Sequence, residues 1–504
     1  MRPQTPLDGL ARVVFVLLLS TVAHIAVAEV PSPTLEGPVT GGKGAPFLGT
    51  TSLDLSQVGY AQTEYFISGT ATGYTSAVAL TSDGKWTVTP GSTAPYKTRI
   101  LVYQPIKPSK FKGTVIVEWL NVSGGLDVGV DWINAHVEMI REGMAWVGVS
   151  AQFAGVENPV DIPTGNVGLI TAGLKAWDPE RYGSLSHPGD SFSYDIFSQV
   201  AQAIRHPAGT SPLGNLKIKK LIASGESQSA SRMVTYINAI DPVAQVFDGF
   251  FVHSRGGAGA KLSESPQPVI AAPSPTFTRD DVRVPVLTFE TESDLILLGY
   301  FPARQDDSAT FRLWEVPGTA HVDLYTLVVG PPDLGKDPAA ANLGVLSSLT
   351  TGAFGVSVTL TCDQPINDGP QHFVLDAAVA ALNKWVTKGT LPSSAPRMAV
   401  VAGPPVAITR DTKGNALGGI RTPEVDAPIA AFSGLGNSGA FSFCFVFGTT
   451  TPFDAATLRS LYPTHSAYTK AFNTATASAK KKGFILAPDA TLMKKSAQAS
   501  SIGM

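Results

Sequence analysis

The sequence predicts an α/β protein whose mostly parallel central sheet is covered by helices. Residues 114–119 and 145–150 are short apolar patterns typical of buried strands, and a helical pattern over 131–142 lies between them. A strand, a helix and a second strand at this spacing form a βαβ unit, which requires a parallel sheet with helices on its faces. The same alternation continues to about residue 390, which indicates one large core.

The other elements of this core follow in order along the chain. Strands are predicted at 221–224, 248–253, 286–289 and 311–316, and helices at 194–205, 229–240 and 373–387. Before the core, residues 60–67 and 96–103 are rich in β-branched and aromatic side chains. These two segments predict an antiparallel opening to the sheet.

The chain divides into a core with additions. We assign a signal peptide to 1–28, a lead-in with the first strands to 29–112, a core to 113–392 with insertions at 154–192, 257–283 and 322–370, and an extension packed on the core to 393–504. Long irregular loops in a compact domain are usually lids or pocket walls, and the alternative is surface decoration. Apolar side chains in the insertions suggest a pocket, although such residues also pack loops onto cores: Trp177, Tyr182, Phe192, Tyr325 and Leu327.

Composition excludes several classes of protein. The 504 residues are 44% hydrophobic and 15% charged, which argues against a disordered chain. Lys and Arg total 37 against 40 Asp and Glu, so there is no basic surplus to neutralise a phosphate backbone. We therefore expect no nucleic-acid partner.

The first 28 residues have the pattern of a secretory signal peptide. Arg2 and Arg12 precede an apolar run over 13–19, and Ala26-Val27-Ala28 has the small residues typical of a cleavage site. The alternative is an uncleaved membrane anchor, but the run is shorter than the ~20 residues that a spanning helix needs. We expect cleavage, a secreted or periplasmic location, and no transmembrane segment after signal cleavage.

The chain has two cysteines, Cys362 and Cys444. Two are too few for a disulfide-built scaffold or for a thiolate metal site. An oxidising compartment makes a disulfide between them plausible. The alternative is two buried free thiols that act as small apolar residues.

The clearest candidate for a catalytic residue lies in the pentapeptide Gly225-Glu226-Ser227-Gln228-Ser229, directly between a predicted strand and a predicted helix. A serine nucleophile at such a turn adopts a strained backbone conformation, and small residues two positions before and after it avoid clashes. Gly225 and Ser229 occupy those positions, although glycine is the common residue at both. The alternative is a serine that only caps the helix. The strand-turn-helix context favours Ser227 as a nucleophile.

A serine hydroxyl needs a base and an orienting acid, and both follow later strands. Glu292 and Asp294 follow one predicted strand, and His321 follows the next. The carboxyl ends of parallel strands meet at one edge of a sheet, where α/β proteins place their ligands. We expect His321 to accept the proton of Ser227 and Asp294 to orient the imidazole, with Glu292 as the alternative acid.

These residues resemble the α/β-hydrolase superfamily of serine esterases and lipases, and more narrowly the proteins described as alpha/beta hydrolase domain-containing. The nucleophile, acid and histidine stand in the chain order of that superfamily. Its acid strand often reads as a proline, a few apolar residues and a turn ending in aspartate, as residues 285–294 do here. Its histidine turn often reads Pro-Gly-x-x-His, as residues 317–321 do.

The resemblance covers about residues 110–390, with a weaker similarity over 414–423, and it implies the α/β-hydrolase fold. In this fold the oxyanion hole takes one backbone N–H from the residue after the nucleophile, here Gln228. The other comes from the loop after the third strand, where Leu120 or Asn121 is the candidate. The His-Gly-Gly string of many lipases is absent from that loop.

The remaining histidines have plainer interpretations. His253 follows a predicted strand at the same sheet edge and either lines the pocket or is a hydrogen-bonded structural residue. His136 lies in a predicted helix and is interpreted as structural. The sequence has no spacing typical of metal ligands and no glycine-rich phosphate loop, so we expect neither a metal nor another cofactor.

Together, the residues and the resemblance predict a secreted serine hydrolase that cleaves a small-molecule or lipid-like carboxylic ester through an acyl-enzyme on Ser227. His321 is the predicted base and Asp294 the predicted orienting acid. The alternatives are an acyltransferase or amidase with the same residues, or a catalytically idle binding protein that keeps the fold. The identity of the ester and the oligomeric state are left open.

Overall fold

The structure is a computed structural model that describes residue 1 and residues 29–160, 172–336, 349–350 and 360–504. The predicted signal peptide at 1–28 lies outside the described residues apart from residue 1, as do parts of the predicted insertions at 154–192 and 322–370.

Nine strands of the described chain form one sheet. They are β1 (Thr34–Glu36), β2 (Tyr60–Thr75), β3 (Thr89–Pro105), β4 (Thr114–Trp119), β5 (Ala145–Val149), β6 (Lys220–Glu226), β7 (Gly249–His253), β8 (Val286–Glu290) and β9 (Phe311–Glu315). Their order across the sheet is β1-β2-β3-β5-β4-β6-β7-β8-β9. The pairs from β1 to β5 are antiparallel, and every pair from β5 onward across the sheet is parallel. This confirms the predicted α/β class and its antiparallel opening.

The α-helices of the described chain are α1 (Val130–Arg141), α2 (Phe153–Glu157), α3 (Leu174–Trp177), α4 (Pro179–Tyr182), α5 (Ser193–Arg205), α6 (Gln228–Thr235), α7 (Asp241–Ala244), α8 (Glu292–Ile296), α9 (Gln371–Lys388), α10 (Pro423–Asp426), α11 (Ala455–Leu461), α12 (His465–Lys482) and α13 (Ala487–Ala499). The central sheet has helices on both faces, with α5 and α6 on one and α1 and α9 on the other. Three small two-stranded sheets consist of β10 (Leu349–Thr350) with β11 (Leu360–Thr361), β12 (Val400–Val401) with β13 (Ala407–Ile408), and β14 (Ala430–Ser433) with β15 (Thr449–Pro452).

The central strands are apolar throughout because both of their faces are buried. In β4, Val115 and Val117 belong to the same apolar cluster as Phe197 of α5. Ile116, between them, packs in a second cluster with Trp132 of α1. Successive side chains of a strand point to opposite faces, so one short run of apolar residues contributes to two cores.

Two predicted boundaries differ from the structure. The predicted strands at 60–67 and 96–103 continue into a long hairpin whose pairing runs from Tyr60 opposite Pro105 to Thr75 opposite Thr89. Backbone pairing sustains this extension where the Gly- and Thr-rich sequence has no apolar pattern. The predicted helix at 229–240 is divided, because α6 passes into a π-helical turn over Tyr236–Ile240.

The extension after residue 393, for which no fold was predicted, ends in three helices with an apolar cluster of their own that includes Tyr468 and Phe472 of α12. Arg141 of α1 donates to Asp489 of α13 at 2.5 Å, which joins this end of the chain to the core. Lys482 closes α12, where positive charge favours the negative end of the helix dipole. Every helix within the described residues is too short or too polar to span a bilayer.

Candidate active site

Ser227 lies in the turn between β6 and α6, at the carboxyl edge of the sheet. Its backbone has φ 59° and ψ −117°, a conformation that non-glycine residues rarely adopt. The backbone N–H of Ser227 donates to the carbonyl of His253 at 2.9 Å, which ties the strained turn to the neighbouring strand β7. The structure therefore holds this serine in the tight strand-to-helix turn that the sequence predicts.

Close packing around the turn explains its small residues. A Cβ on Gly225 would lie 2.9 Å from the carbonyl oxygen of Ser229 and 3.2 Å from its Cβ. The Ser229 hydroxyl donates to the carbonyl of Leu120 at 3.2 Å and is fully buried. Serine therefore fits the position where glycine is common, provided that residue 225 has no side chain.

His321 and Asp294 complete a hydrogen-bonded chain with Ser227. Nε2 of His321 lies 2.8 Å from the Ser227 hydroxyl oxygen, and Nδ1 lies 2.6 Å from Oδ1 of Asp294. The imidazole is 6% exposed and the carboxylate 0%. In the tautomer that these contacts favour, Nδ1–H donates to Asp294 and Nε2 accepts from Ser227. The three predicted residues thus converge at one edge of the sheet.

Asp294 is held by the first turn of α8. Its Oδ2 accepts from the backbone N–H and the hydroxyl of Thr291 at 2.6 and 2.7 Å. Burial alone would raise its pKa, but the imidazole of His321 and the donors of Thr291 outweigh it, so the pKa of Asp294 is lowered. The carboxylate is therefore charged and fixed beside the ring.

Glu292, the alternative acid in the sequence prediction, faces away from His321. Its Oε1 accepts from the backbone N–H of Gly318 at 2.7 Å. Its Oε2 accepts from Arg410 at 2.6 Å and from the N–H of Gly434 at 3.1 Å. Glu292 therefore joins the loop that carries His321 to the C-terminal extension and makes no contact with the imidazole.

Glu226 is a site residue to which the sequence analysis assigned no role. Its carboxylate is 2% exposed, and Oε1 lies 3.3 Å from Nε2 of His321. Burial raises the pKa of Glu226 to about 7, although the nearby histidines oppose this shift. The sequence feature that could have identified Glu226 is its position directly before Ser227. Glu226 is the last residue of β6, and the carboxyl end of β6 lies beside the loop that contains His321.

The charge around the imidazole favours its protonated form. Burial alone would lower the pKa of His321, but the carboxylates of Glu226 and Asp294 raise it to about 8. Such a value suits a base that accepts a proton near neutral pH.

Gln228 supplies the first backbone N–H of α6, which has no partner within the helix and lies beside the nucleophile. Its side chain forms a reciprocal amide pair with Gln152, which follows β5 and is buried. This pair fixes the start of the helix. Local sequence does not mark Gln152 as a site residue, because its partner Gln228 lies 76 residues away.

The prediction of Leu120 or Asn121 as the second oxyanion donor conflicts with the hydrogen bonds of both residues. The N–H of Leu120 donates to the carbonyl of Val149 at 3.2 Å, and the N–H of Asn121 donates to that of Val128 at 2.9 Å. The side-chain amide of Asn121 donates to Glu226. The backbone N–H of Asn121, which the resemblance implied as an oxyanion donor, is therefore already used in a hydrogen bond to Val128.

His253 and His136 are both structural. Nδ1 of His253 lies 2.9 Å from Asp131, and its fully buried side chain does not line the cavity at Ser227. His136 contacts the carbonyls of Trp132 and Asp333 through its two ring nitrogens. Within the described residues, no group of three or more His, Cys, Asp or Glu side chains is arranged to hold a metal ion.

A cavity of about 140 Å³ opens beside the Ser227 hydroxyl. Of the two alternatives for the aromatic residues of the insertions, the structure shows the packing of loops onto the core: Tyr182 and Phe192 are buried in apolar clusters, and Trp177 stacks on Phe47 at 4.3 Å. Tyr325 and Leu327 are also buried and lie outside the cavity lining.

Four phenylalanines from the C-terminal extension line the cavity instead: Phe441, Phe443, Phe445 and Phe447. Local sequence does not mark this segment as part of the site, because the residues that hold it there, Val322 and Asn367, lie far away in the chain. Cys444, in the middle of residues 441–447, forms a disulfide with Cys362. The two cysteines are therefore paired and are not free thiols.

The amino-acid sequence as a whole agrees with this geometry. The sequence profile of the alpha/beta hydrolase domain family matches residues 35–495, which is most of the chain and includes the C-terminal extension. The chain belongs to the alpha/beta hydrolase domain family. Membership extends past residue 390, where the resemblance seen in the motifs ended, so the family's domain includes the segment that lines the cavity. A search of curated protein sequences finds no significant match.

Several solved esterases are also similar to this alpha/beta hydrolase. A fungal esterase from Rhizomucor miehei is 12% identical, with 64% of this chain and 85% of that chain covered and a TM-score of 0.28. A glucuronoyl esterase from Teredinibacter turnerae is 13% identical, with 57% and 74% covered and a TM-score of 0.27. Acetyl xylan esterase 1 from Thermoanaerobacterium is 8% identical, with 56% and 81% covered and a TM-score of 0.27. The family assignment depends on the sequence profile and not on these distant superpositions.

Proposed function

We propose that this protein is an exported serine hydrolase that cleaves carboxylic esters through an acyl-enzyme on Ser227. The observation that carries the proposal is the 2.8 Å contact between the Ser227 hydroxyl and Nε2 of His321. A base within hydrogen-bond reach of a serine converts a weak nucleophile into a reactive one.

The reaction follows from the positions of these atoms. Nε2 of His321 takes the hydroxyl proton as Oγ of Ser227 attacks the ester carbonyl carbon. The carbonyl oxygen becomes an oxyanion, which the N–H of Gln228 stabilises. The C–O bond to the alcohol then breaks, and the imidazolium returns its proton to the leaving alcohol. Asp294 orients the ring and stabilises its charged form throughout.

The second half of the reaction reverses the roles of the same groups. Water attacks the acyl carbon and gives a proton to Nε2 of His321. The bond from the acyl carbon to Oγ of Ser227 breaks, and the proton returns to the serine. The products are a carboxylic acid and an alcohol, and the protein ends as it began.

Labelling with a fluorophosphonate tests the nucleophile. We expect the wild-type protein to be labelled and Ser227→Ala to be unlabelled, with ester turnover reduced on the order of 10⁴-fold or more. Ser231→Ala is a matched control, because Ser231 lies one helical turn from Ser227 in α6. It should be labelled like the wild type. A folded wild type without labelling would identify an idle binding protein that keeps the fold.

Addition of alcohols to an ester assay separates hydrolysis from acyl transfer. We expect the carboxylic acid to remain the main product, because the acyl-enzyme of Ser227 is open to water. A main product in which the acyl group is joined to the added alcohol would instead identify an acyltransferase.

Two observations support export. Residues 1–28 have the signal-peptide pattern, and Cys362 and Cys444 form a disulfide, which persists mainly in oxidising compartments. Mass spectrometry of the protein from its native cell should find Glu29 as the first residue in the exported fraction. Full-length protein confined to the cytoplasm would contradict this localisation.

A further inference from the structure

The cavity beside Ser227 has an apolar wall and a small polar end. The wall contains Phe441, Phe443, Phe445 and Phe447 together with Val322 and Leu298, and Asn121, Ser123 and Glu226 lie at the polar end. A wall of aromatic rings offers dispersion contacts but few hydrogen bonds. A bound group with many hydroxyls would therefore lose bonds to water without replacing them.

The aromatic wall, residues 441–447, is fixed by contacts on both sides. The N–H of Val322, directly after His321, donates to the carbonyl of Val446 at 3.3 Å. The N–H of Asn367 donates to the carbonyl of Phe447 at 3.0 Å. The disulfide of Cys444 with Cys362 holds the middle of the wall. Such a wall has a defined shape before any ligand arrives.

The two ends of the aromatic wall are buried, and Phe445 between them is exposed. Phe441 and Phe447 belong to an apolar cluster with Val322 and Leu327. Phe445 is 47% exposed although it lines the cavity. A ligand that covers Phe445 would remove apolar surface from water, which favours binding.

Charge at the cavity disfavours anions. Among the described residues that line the cavity, none is a lysine or an arginine, and Glu226 places a buried carboxyl group at the polar end. The imidazole of His321 is the one described lining group that can become positively charged, and the carboxyl groups of Glu226 and Asp294 already lie against its two ring nitrogens. A carboxylate on the substrate would therefore be desolvated beside Glu226 without a cation of its own. The group that enters the cavity should therefore be neutral.

We propose that the cavity selects neutral esters that carry an aromatic ring, or a hydrocarbon group of similar size, on one side of the ester bond. This inference rests on the proposed esterase function and names its substrate class. An apolar protein cavity of about 150 Å³ takes up benzene, and the cavity here is about 140 Å³. The ring packs against the aromatic wall while the carbonyl carbon reaches Ser227.

Four small esters test the preference with the purified full chain. Methyl acetate is the reference, benzyl acetate and methyl phenylacetate place a ring on either side, and 4-carboxybenzyl acetate adds a charge. We expect kcat/KM for at least one ring-bearing ester to exceed that for methyl acetate by tenfold or more, since each buried methylene contributes about fourfold. The added carboxylate should lower kcat/KM by at least tenfold. Equal values for ring-bearing and methyl esters, or faster turnover of an acetylated sugar, would overturn the substrate class and leave the esterase function standing.

A pair of variants tests the aromatic wall itself. Phe445→Ala should lower kcat/KM for the preferred ring-bearing ester about tenfold more than that for methyl acetate. Phe153→Ala is the matched control, because Phe153 is 44% exposed and lies outside the cavity lining. The control should keep the wild-type ratio. The same change of ratio in both variants would show that the aromatic wall does not select the ring.

Binding to Ser227→Ala separates the two proposals. This variant should bind the ring-bearing ester at least tenfold more tightly than methyl acetate, measured by titration of tryptophan fluorescence or by calorimetry. If the wild type hydrolyses no ester but this binding difference is present, the esterase function is wrong and the ring selectivity stands. Equal binding of both esters contradicts the ring selectivity.

Discussion

Oε1 of Glu226 lies 3.3 Å from Nε2 of His321, the same ring nitrogen that contacts the Ser227 hydroxyl. The imidazole therefore has a carboxyl group at each end, since Asp294 contacts Nδ1 at 2.6 Å. Both carboxylates favour the imidazolium, which forms each time Ser227 gives up its proton. Too strong a preference would leave His321 protonated in the resting protein and unable to act as a base.

Ester turnover should rise with pH through about 8. The neutral imidazole accepts the serine proton, and the pKa of His321 is raised to about 8 by Glu226 and Asp294 against the effect of burial. At pH values below this pKa, kcat/KM should fall about tenfold per unit, measured with an uncharged ester at constant ionic strength. A profile that is flat from pH 6 to 9 would show that His321 is not the base.

Glu226→Gln should move this rise to lower pH. The substitution removes the carboxylate that contributes most to raising the pKa of His321, and an opposite charge at this range shifts a pKa by about one unit or more. The control is Glu138→Gln, which neutralises another buried carboxyl group, beside Arg141 in α1, away from Ser227. Its profile should match the wild type. An unmoved midpoint in Glu226→Gln would mean that this carboxyl group does not govern the titration of the imidazole.

Asp294→Asn and Glu292→Gln should have different consequences. The amide introduced at position 294 has one acceptor oxygen, and the N–H and hydroxyl of Thr291 favour its placement toward them, as they now bond Oδ2. The NH₂ group then faces Nδ1 of His321 and favours the wrong tautomer, so kcat should fall on the order of 10⁴-fold. Glu292→Gln removes the charged partner of Arg410 and should mainly lower the free energy of unfolding, by about 1–3 kcal/mol, with a much smaller change in kcat. Steady-state kinetics and denaturant unfolding measure the two effects, and the reverse pattern would reassign the acid.

Removal of the disulfide should reduce stability. Cys362 and Cys444 are 82 residues apart, and a loop of this length closed by a disulfide contributes about 2–5 kcal/mol. The double variant Cys362→Ala/Cys444→Ala should lose that amount of unfolding free energy in denaturant titrations. A reducing agent should have the same effect on the wild type and none on the double variant. A loss below about 1 kcal/mol would show that the other contacts of residues 441–447 hold them without the bond.

The sequence predicted the sheet and the convergence of Ser227, Asp294 and His321 because both depend on local patterns. Buried parallel strands are continuous apolar runs, and each of the three residues lies in the turn or loop region after one of them. The parallel direction of the strands then brings their carboxyl ends to one edge. No knowledge of side-chain packing was needed for this part.

The cavity could not be predicted in the same way. Its aromatic wall consists of residues 441–447, which lie 120 positions or more after His321. The position of this segment depends on distant contacts such as the hydrogen bond between Val446 and Val322. The local sequence left open whether Trp177 and Tyr182 line a pocket or pack loops onto the core, and they pack against Phe47 and Phe66. The backbone N–H groups of Leu120 and Asn121 were candidate oxyanion donors for a similar reason. Their hydrogen bonds to Val149 and Val128 could not be predicted from the sequence of residues 120–125.

The contacts of Glu292 bear on how much of the chain a working protein requires. Arg410 and Gly434, which satisfy its buried carboxylate, both lie beyond residue 392, where the core was predicted to end. A polypeptide cut there would leave a negative charge without its cation inside the protein, next to the loop of His321. Gly434 directly follows β14, whose partner strand β15 ends at Pro452, so the shortest fragment worth expressing reaches past Pro452. A newly made chain therefore completes the surroundings of Glu292 only after that pair of strands has docked.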